Sequence, residues 1–203
     1  MGLECVDTPR LNAKGFGSVV RNLEDHLRDI VAAYHPWAII VTVDLKDVID
    51  NGLFVTCTDL RSDLRRRSQL WLENHAQHPK FRPMPNSIEI VVQIPKFESW
   101  LIAHAEALHE ASLIRLKDGE LIPENIDAAI SDPAKWLKER MPEFKYKDPK
   151  IAKLCLSACD SEVIQRRSPS FSKFQRTLRI SYQSWLSVCS VSDGVVIMSD
   201  SEQ

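Results

Sequence analysis

The chain has 203 residues, of which 44% are hydrophobic and 27% charged, and a formal net charge of −2. This is the composition of an ordinary globular protein, long enough to bury roughly 70% of its unfolded surface without staples. It contains no apolar run near the ~20 residues that a membrane helix needs. The five cysteines, Cys5, Cys57, Cys155, Cys159 and Cys189, include no Cys-x-x-Cys pair. That argues against a zinc or disulfide framework and for free thiols in a reducing cytoplasm.

The near-neutral total hides local bias: Arg61, Arg65, Arg66 and Arg67 cluster mid-chain, and the final third is basic around Lys145–Lys153 and Arg166–Lys173. Net charge therefore neither favours nor excludes nucleic acid; only such patches bear on it.

Leu3 to Val6 is a candidate short strand. Lys14-Gly15-Phe16-Gly17-Ser18 is glycine-rich like an anion-binding turn, yet its spacing fits no nucleotide fingerprint, and a plain turn with Ser18 as helix cap is the favoured reading. Val20, Leu23, Leu27, Ile30, Val31 and Tyr34 recur at helical spacing, with Glu24 and Arg28 as an i,i+4 pair. His35-Pro36 stops that helix. Trp37 to Val43 is continuously apolar, the pattern of a strand covered on both faces.

Lys46 to Thr58 reads as irregular, with Asp50-Asn51-Gly52 as a turn. A helix over Asp59–Glu73 places Leu60, Leu64, Leu70 and Trp71 toward the core and Arg61, Arg65 and Arg66 on the other face. After a proline-rich loop come a buried strand, Ile88–Ile94, and a helix from Phe97 to about Glu110. Lys117-Asp118-Gly119-Glu120 is a loop tip. Asp132-Pro133, Asp148-Pro149 and Ser168-Pro169 each place a capping residue before a first-turn proline, so each opens a helix. The resulting expectation is an α/β core over residues 1–110, a helical extension over 111–189 and a loose tail over 190–203.

In open α/β folds ligands gather where strands end and helices begin. Asp44 and Asp47 follow the first apolar strand, and Glu98 follows the second among Phe97, Trp100, Leu101 and Ile102. If these ends share a cleft, Asp44, Asp47 and Glu98 form a minimal Mg²⁺ site suited to phosphodiester chemistry. The bland alternatives are a turn acid for Asp44 and a first-turn dipole partner for Glu98. Lys147, Arg166, Arg167, Ser170 and Lys173 stand beside helix starts with interleaved aromatics, as phosphate contacts do, or else they cap helices. His-Glu-x-x-His and Gly-x-Ser-x-Gly motifs are lacking, which leaves zinc-protease and serine-triad chemistry unsupported.

Two segments carry a resemblance. Phe97-Glu98-Ser99-Trp100-Leu101-Ile102-Ala103 is similar to the Glu-Ala-Trp-Leu-Leu-Ala-Asp block of a bacterial Toprim-like family of unknown function. Tyr146-Lys147, followed by Arg167-Ser168-Pro169-Ser170-Phe171 with Phe174 and Leu178, resembles that family's C-terminal signature. The resemblance covers about residues 12–180. It implies a Toprim-like α/β fold with a mainly parallel sheet, flanking helices and a helical C-terminal half. It also implies a nuclease or nuclease-derived effector of phage defence, with Mg²⁺ held by Asp44 and Glu98 and an ATPase as partner.

Two departures stand against catalysis. The family's first strand, with Glu-Gly-x-Thr-Glu, has no counterpart, as though the chain began after it. Lys46 also occupies the second position of an Asp-x-Asp pair, with Asp47 one place later. A non-catalytic binding or regulatory subunit is the resulting alternative, and a small-molecule enzyme using the Gly15–Ser18 turn is a third.

Overall fold

The structure, a computed structural model, describes residues 18–141 and 149–196. The Leu3–Val6 strand, the glycines of the anion-type turn, and Lys145, Tyr146 and Lys147 lie outside the described residues. The fold is mixed α/β and mostly helical, with a two-stranded parallel sheet. The chain divides into two compact units. One comprises the chain through Val43 together with Val48–Ile90; the other comprises Asp44–Asp47 and the chain from Val91 onward.

In the first unit α1 (Ser18–Arg21) and α2 (Leu23–Tyr34) replace the single expected helix. They are divided at Asn22, whose φ of −118° and ψ of 33° leave the helical region. Leu23, Leu27 and Val31 form the buried stripe of α2. His35 ends α2 in the left-handed region, with φ 45°, immediately before Pro36. β1 (Ala38–Asp44) follows and runs directly into α3 (Leu45–Asp50), a helix within the stretch read as irregular. The turn expected there closes α3, where Gly52 at φ 64° donates to the Ile49 carbonyl.

α4 (Cys57–His75) is capped by Thr56, whose hydroxyl accepts the Asp59 N–H at 3.1 Å. Its buried stripe is Leu60, Leu64, Ser68 and Trp71. Leu70 is 44% exposed, contrary to the sequence reading, because one residue's rotation of about 100° separates it from Trp71. β2 (Ser87–Gln93), reached through a 3-10 turn at Pro79–Phe81, pairs with β1.

Glu24 does not pair with Arg28 as the spacing suggests. Arg28 turns to Asp25 at 3.0 Å and Asp29 at 3.5 Å, whereas Glu24 accepts from Arg67 of α4, with Nε at 2.7 Å. Arg67 also donates to the Val20 carbonyl and lies near Asp63 at 3.6 Å, so one guanidinium ties α1, α2 and α4 together. Replacing Arg67 with alanine is expected to destabilise the protein by about 1–3 kcal/mol, the range for a partly buried charged hydrogen-bond centre. Urea unfolding of the variant checks this; an effect within about 0.5 kcal/mol, as at ordinary surface sites, would refute it.

The second unit contains α5 (Glu98–Ile102), α6 (Ala105–Glu110), α7 (Ile126–Ala129), α8 (Pro133–Arg140), α9 (Pro149–Ala158), α10 (Ser161–Arg167) and α11 (Pro169–Val196). Trp100, Leu101, Ile102, Leu108, Ile126 and Leu137 anchor one buried cluster, against which Phe171 and Phe174 pack. This sharing of one core by α5 and the later helices explains why the division falls at Val91 rather than at residue 110.

The Asp132 side chain accepts the Lys135 N–H at 3.0 Å before Pro133, as its sequence anticipated. The helix expected from Phe97 to Glu110 is broken at Ala103-His104. There the Ala103 carbonyl accepts from Arg167 at 3.1 Å, and His104 Nδ1 accepts the Asp160 N–H at 2.8 Å. α11 is also longer than expected. It continues to Val196, through the first residues of the segment read as a loose tail.

Candidate functional site

Asp44, Asp47 and Glu98 all belong to the second unit, as does Lys96 between them in sequence. Asp44 is the last residue of β1, and its carboxylate Oδ1 accepts the Phe97 N–H at 3.0 Å. The Lys46 N–H donates to the Pro95 carbonyl at 3.0 Å. These two bonds fasten the start of α3 to the loop before α5 and bring the acids of both strand ends into one electrostatic neighbourhood. Glu98 is buried at 7% exposure in the first turn of α5. Asp47 forms an ion pair with Lys96 Nζ.

Burial is the main reason the Asp44 carboxyl rises from 3.8 to about 6. The Phe97 N–H opposes that rise, the charges of Glu98 and Asp47 add to it, and Lys96 moderates it. Burial works against the Lys96 ammonium, but its bond to Asp47 and the fields of Asp47, Glu98 and Asp44 outweigh burial and hold its pKa above the ordinary value. The arrangement is thus an acidic cluster with a built-in cation. Lys96, not anticipated from sequence, was legible in one respect: it is the basic residue in the loop between the second strand and Glu98.

Among the described residues, no three His, Cys, Asp or Glu side chains are arranged to hold a metal ion. Asp47 is engaged by Lys96, so a closed three-carboxylate cage is not what this geometry offers. A two-carboxylate site completed by water, built on Asp44 and Glu98, remains within the chemistry of Mg²⁺.

The basic candidates of the C-terminal half are differently placed. Arg166 is exposed at the end of α10, and Lys173 is half-buried in α11. Arg167 is committed internally: Nη1 donates to both Glu106 oxygens at 2.7 Å as well as to Ala103. Burial pushes Glu106 upward, but the Arg167 hydrogen bonds outweigh it and leave the carboxyl below its ordinary value.

Ser170 is 4% exposed, and its hydroxyl accepts the Trp100 Nε1–H at 2.9 Å. Its backbone N–H donates to Asp127 Oδ2 at 2.7 Å, while the Ser168 hydroxyl donates to Asp127 Oδ1 at 2.8 Å. The anion expected at the start of α11 is therefore the protein's own Asp127, carried by α7. Burial raises the Asp127 carboxyl against the pull of these bonds. Sequence reasoning overlooked Asp127, which lies 43 residues before Ser170 with no motif linking the two.

Two of the described thiols, Cys155 and Cys159, are held in the protonated, poorly nucleophilic form. Burial, and secondarily the nearby Cys155, pushes Cys159 up to about 12, and burial also raises Cys155. Among the described residues no helix is long and apolar enough to cross a membrane.

The class so defined is a mixed α/β protein with an acid–lysine cluster following its two strands and a helical C-terminal half. The chain belongs to the DUF4276 family, a domain of unknown function whose model matches residues 5–179. No curated protein and no solved structure matches it.

Proposed function

We propose that the protein is a Toprim-like, Mg²⁺-dependent nuclease, or an effector derived from one, acting on DNA or RNA in the cytoplasm beside an ATPase partner of a phage-defence system. The observation that carries this reading is the cluster itself: Asp44, Asp47 and Glu98 interact electrostatically around Lys96, and Asp44 is raised to about 6. A perturbed carboxylate where a strand gives way to a helix is characteristic of functional sites.

Asp44 and Glu98 would hold the ion, with Asp47, paired with Lys96, as a further carboxylate beside it. Bound Mg²⁺ supplies charge neutralisation at the phosphate and an acidified water. Lys96 would supply a positive charge toward the phosphate, and the Phe97 N–H keeps the Asp44 carboxylate oriented.

The test is nuclease assay of the full chain on single- and double-stranded substrates with Mg²⁺ or Mn²⁺. Asp44→Asn and Glu98→Gln are each expected to lower cleavage by at least about 100-fold, the order expected when a group directly engaged in catalysis is removed. Equal cleavage by the wild type and both variants, or full activity in chelator, would refute the assignment.

The Lys96–Asp47 ion pair supports a second reading, a non-catalytic binding or regulatory subunit whose lysine permanently replaces a cation. No heat of Mn²⁺ binding by calorimetry, together with capture of the ATPase partner, would favour it over the nuclease.

A further inference from the structure

α11 spans 28 residues, about 42 Å at 1.5 Å per residue. Its apolar stripe begins with Phe171 and Phe174, which pack into the core around Trp100 with ring centroids 5.2 and 5.1 Å away. The stripe does not end there. Leu178, Tyr182 and Trp185 continue it at steps of four, four and three residues from Phe174, with Leu186 and Val188 widening it on either side.

Beyond Phe174 these side chains lose their cover: Leu178 is 43% exposed, Tyr182 43%, Trp185 41%, Leu186 42% and Val188 49%. Elsewhere, exposed large apolar residues form no such stripe: Val55 and Leu121 are single in the sequence, and Leu154 and Leu156 of α9 are two residues apart and so point about 200° from each other. Tyr182 and Trp185 also lie ring to ring at 5.8 Å, forming one broad aromatic surface.

We infer that the middle of α11, residues 178–188, docks against the same segment of α11 in a second copy of the chain. Five such side chains present on the order of 500 Å² per copy, so pairing two copies removes about 1,000 Å², the lower bound for a specific protein interface. Large aromatics at the centre of a helix face are the residue types that dominate such contacts. The stripe's charges lie toward one end: Arg179 is on the Leu186 edge, seven residues before it, and Arg176 is off the stripe. Antiparallel helices that cross at Tyr182, and so diverge before reaching the core-packed Phe171 and Phe174, set the two pairs of arginines at opposite ends, whereas parallel pairing would bring them side by side.

Sedimentation velocity of the full chain from about 1 to about 100 µM is expected to show a concentration-dependent monomer–dimer equilibrium. Trp185→Glu is expected to weaken it by at least about 10-fold while leaving the helical circular dichroism unchanged, since Trp185 is outside the core cluster. Tyr182→Lys serves as an independent variant should Trp185→Glu fold poorly. A wild-type chain monomeric throughout this range overturns the inference, as does a dimer whose strength neither variant alters.

The direction of pairing has its own readout. Under oxidation, copies with Leu178→Cys are expected to cross-link to copies with Leu186→Cys. Preferential joining of Leu178→Cys copies to each other would overturn the antiparallel arrangement.

Discussion

Replacing Trp100 by alanine is expected to cost about 3–5 kcal/mol of folding stability, the range for removing a large buried aromatic. With whole domains stable by only about 5–15 kcal/mol, this is a large share of the total. The indole is 4% exposed and meets three rings: Phe174 stacked at 5.1 Å, Phe171 edge-on at 5.2 Å and Phe97 edge-on at 5.7 Å. Its N–H also donates to Ser170, so the same side chain secures the start of α11.

Two variants separate these contributions. Trp100→Phe keeps much of the ring contact and removes the donor, for an expected loss of about 1–2 kcal/mol. The Ser170 hydroxyl retains Ser168 at 3.2 Å, which holds that cost down. Urea unfolding reads both. If Trp100→Phe proved as damaging as Trp100→Ala, the hydrogen bond rather than aromatic packing would be the dominant contribution.

That packing was partly legible in the sequence. The spacing of Leu60, Leu64 and Trp71, the continuous apolar strands and the Asp132-Pro133 and Ser168-Pro169 starts are local signals, and the elements they marked are present. The breaks were not legible, because their causes are distant in the chain. Apolar periodicity runs on through Ala103-His104, but Arg167, 64 residues later, takes the Ala103 carbonyl and Asp160 takes His104.

The phosphate reading of Arg167 and Ser170 failed to anticipate their internal bonds for the same reason. A basic, hydroxyl-rich helix start looks identical in sequence whether its anion comes from outside or, as here, from Asp127 and Glu106 of the same chain. The acids following the two strands are different. Both lie beside junctions marked by local pattern, so Asp44 and Glu98 could be singled out, whereas the ion pair between Lys96 and Asp47 required the fold.

Asp44→Asn is expected to make the folded protein more stable at pH 7, while removing the proposed metal ligand. The native carboxyl titrates at about 6 against 3.8 ordinarily, so the native state holds its proton more tightly than the unfolded chain. The sign follows by linkage. Below pH 3.8 both states are protonated and the group contributes no penalty. Between about 4 and 6 the unfolded chain loses its proton first, and native stability falls with rising pH. Above about 6 the full penalty is present, at most about 3 kcal/mol at 1.36 kcal/mol per pH unit.

Asparagine does not ionise and can still accept the Phe97 N–H, so the difference between variant and wild type isolates this group from every other titration. Unfolding curves at several pH values should therefore converge near pH 4 and diverge toward pH 7 with the variant more stable; parallel curves would show that burial does not perturb Asp44. Adding Mn²⁺ at pH 7 carries the argument to function. A cation beside Asp44 removes the penalty of its ionised form and stabilises the wild type by mass action. The asparagine variant, with nothing to relieve, should gain far less. Equal gains in both proteins would place the ion elsewhere, and no gain in either would favour Lys96 as the cluster's only cation.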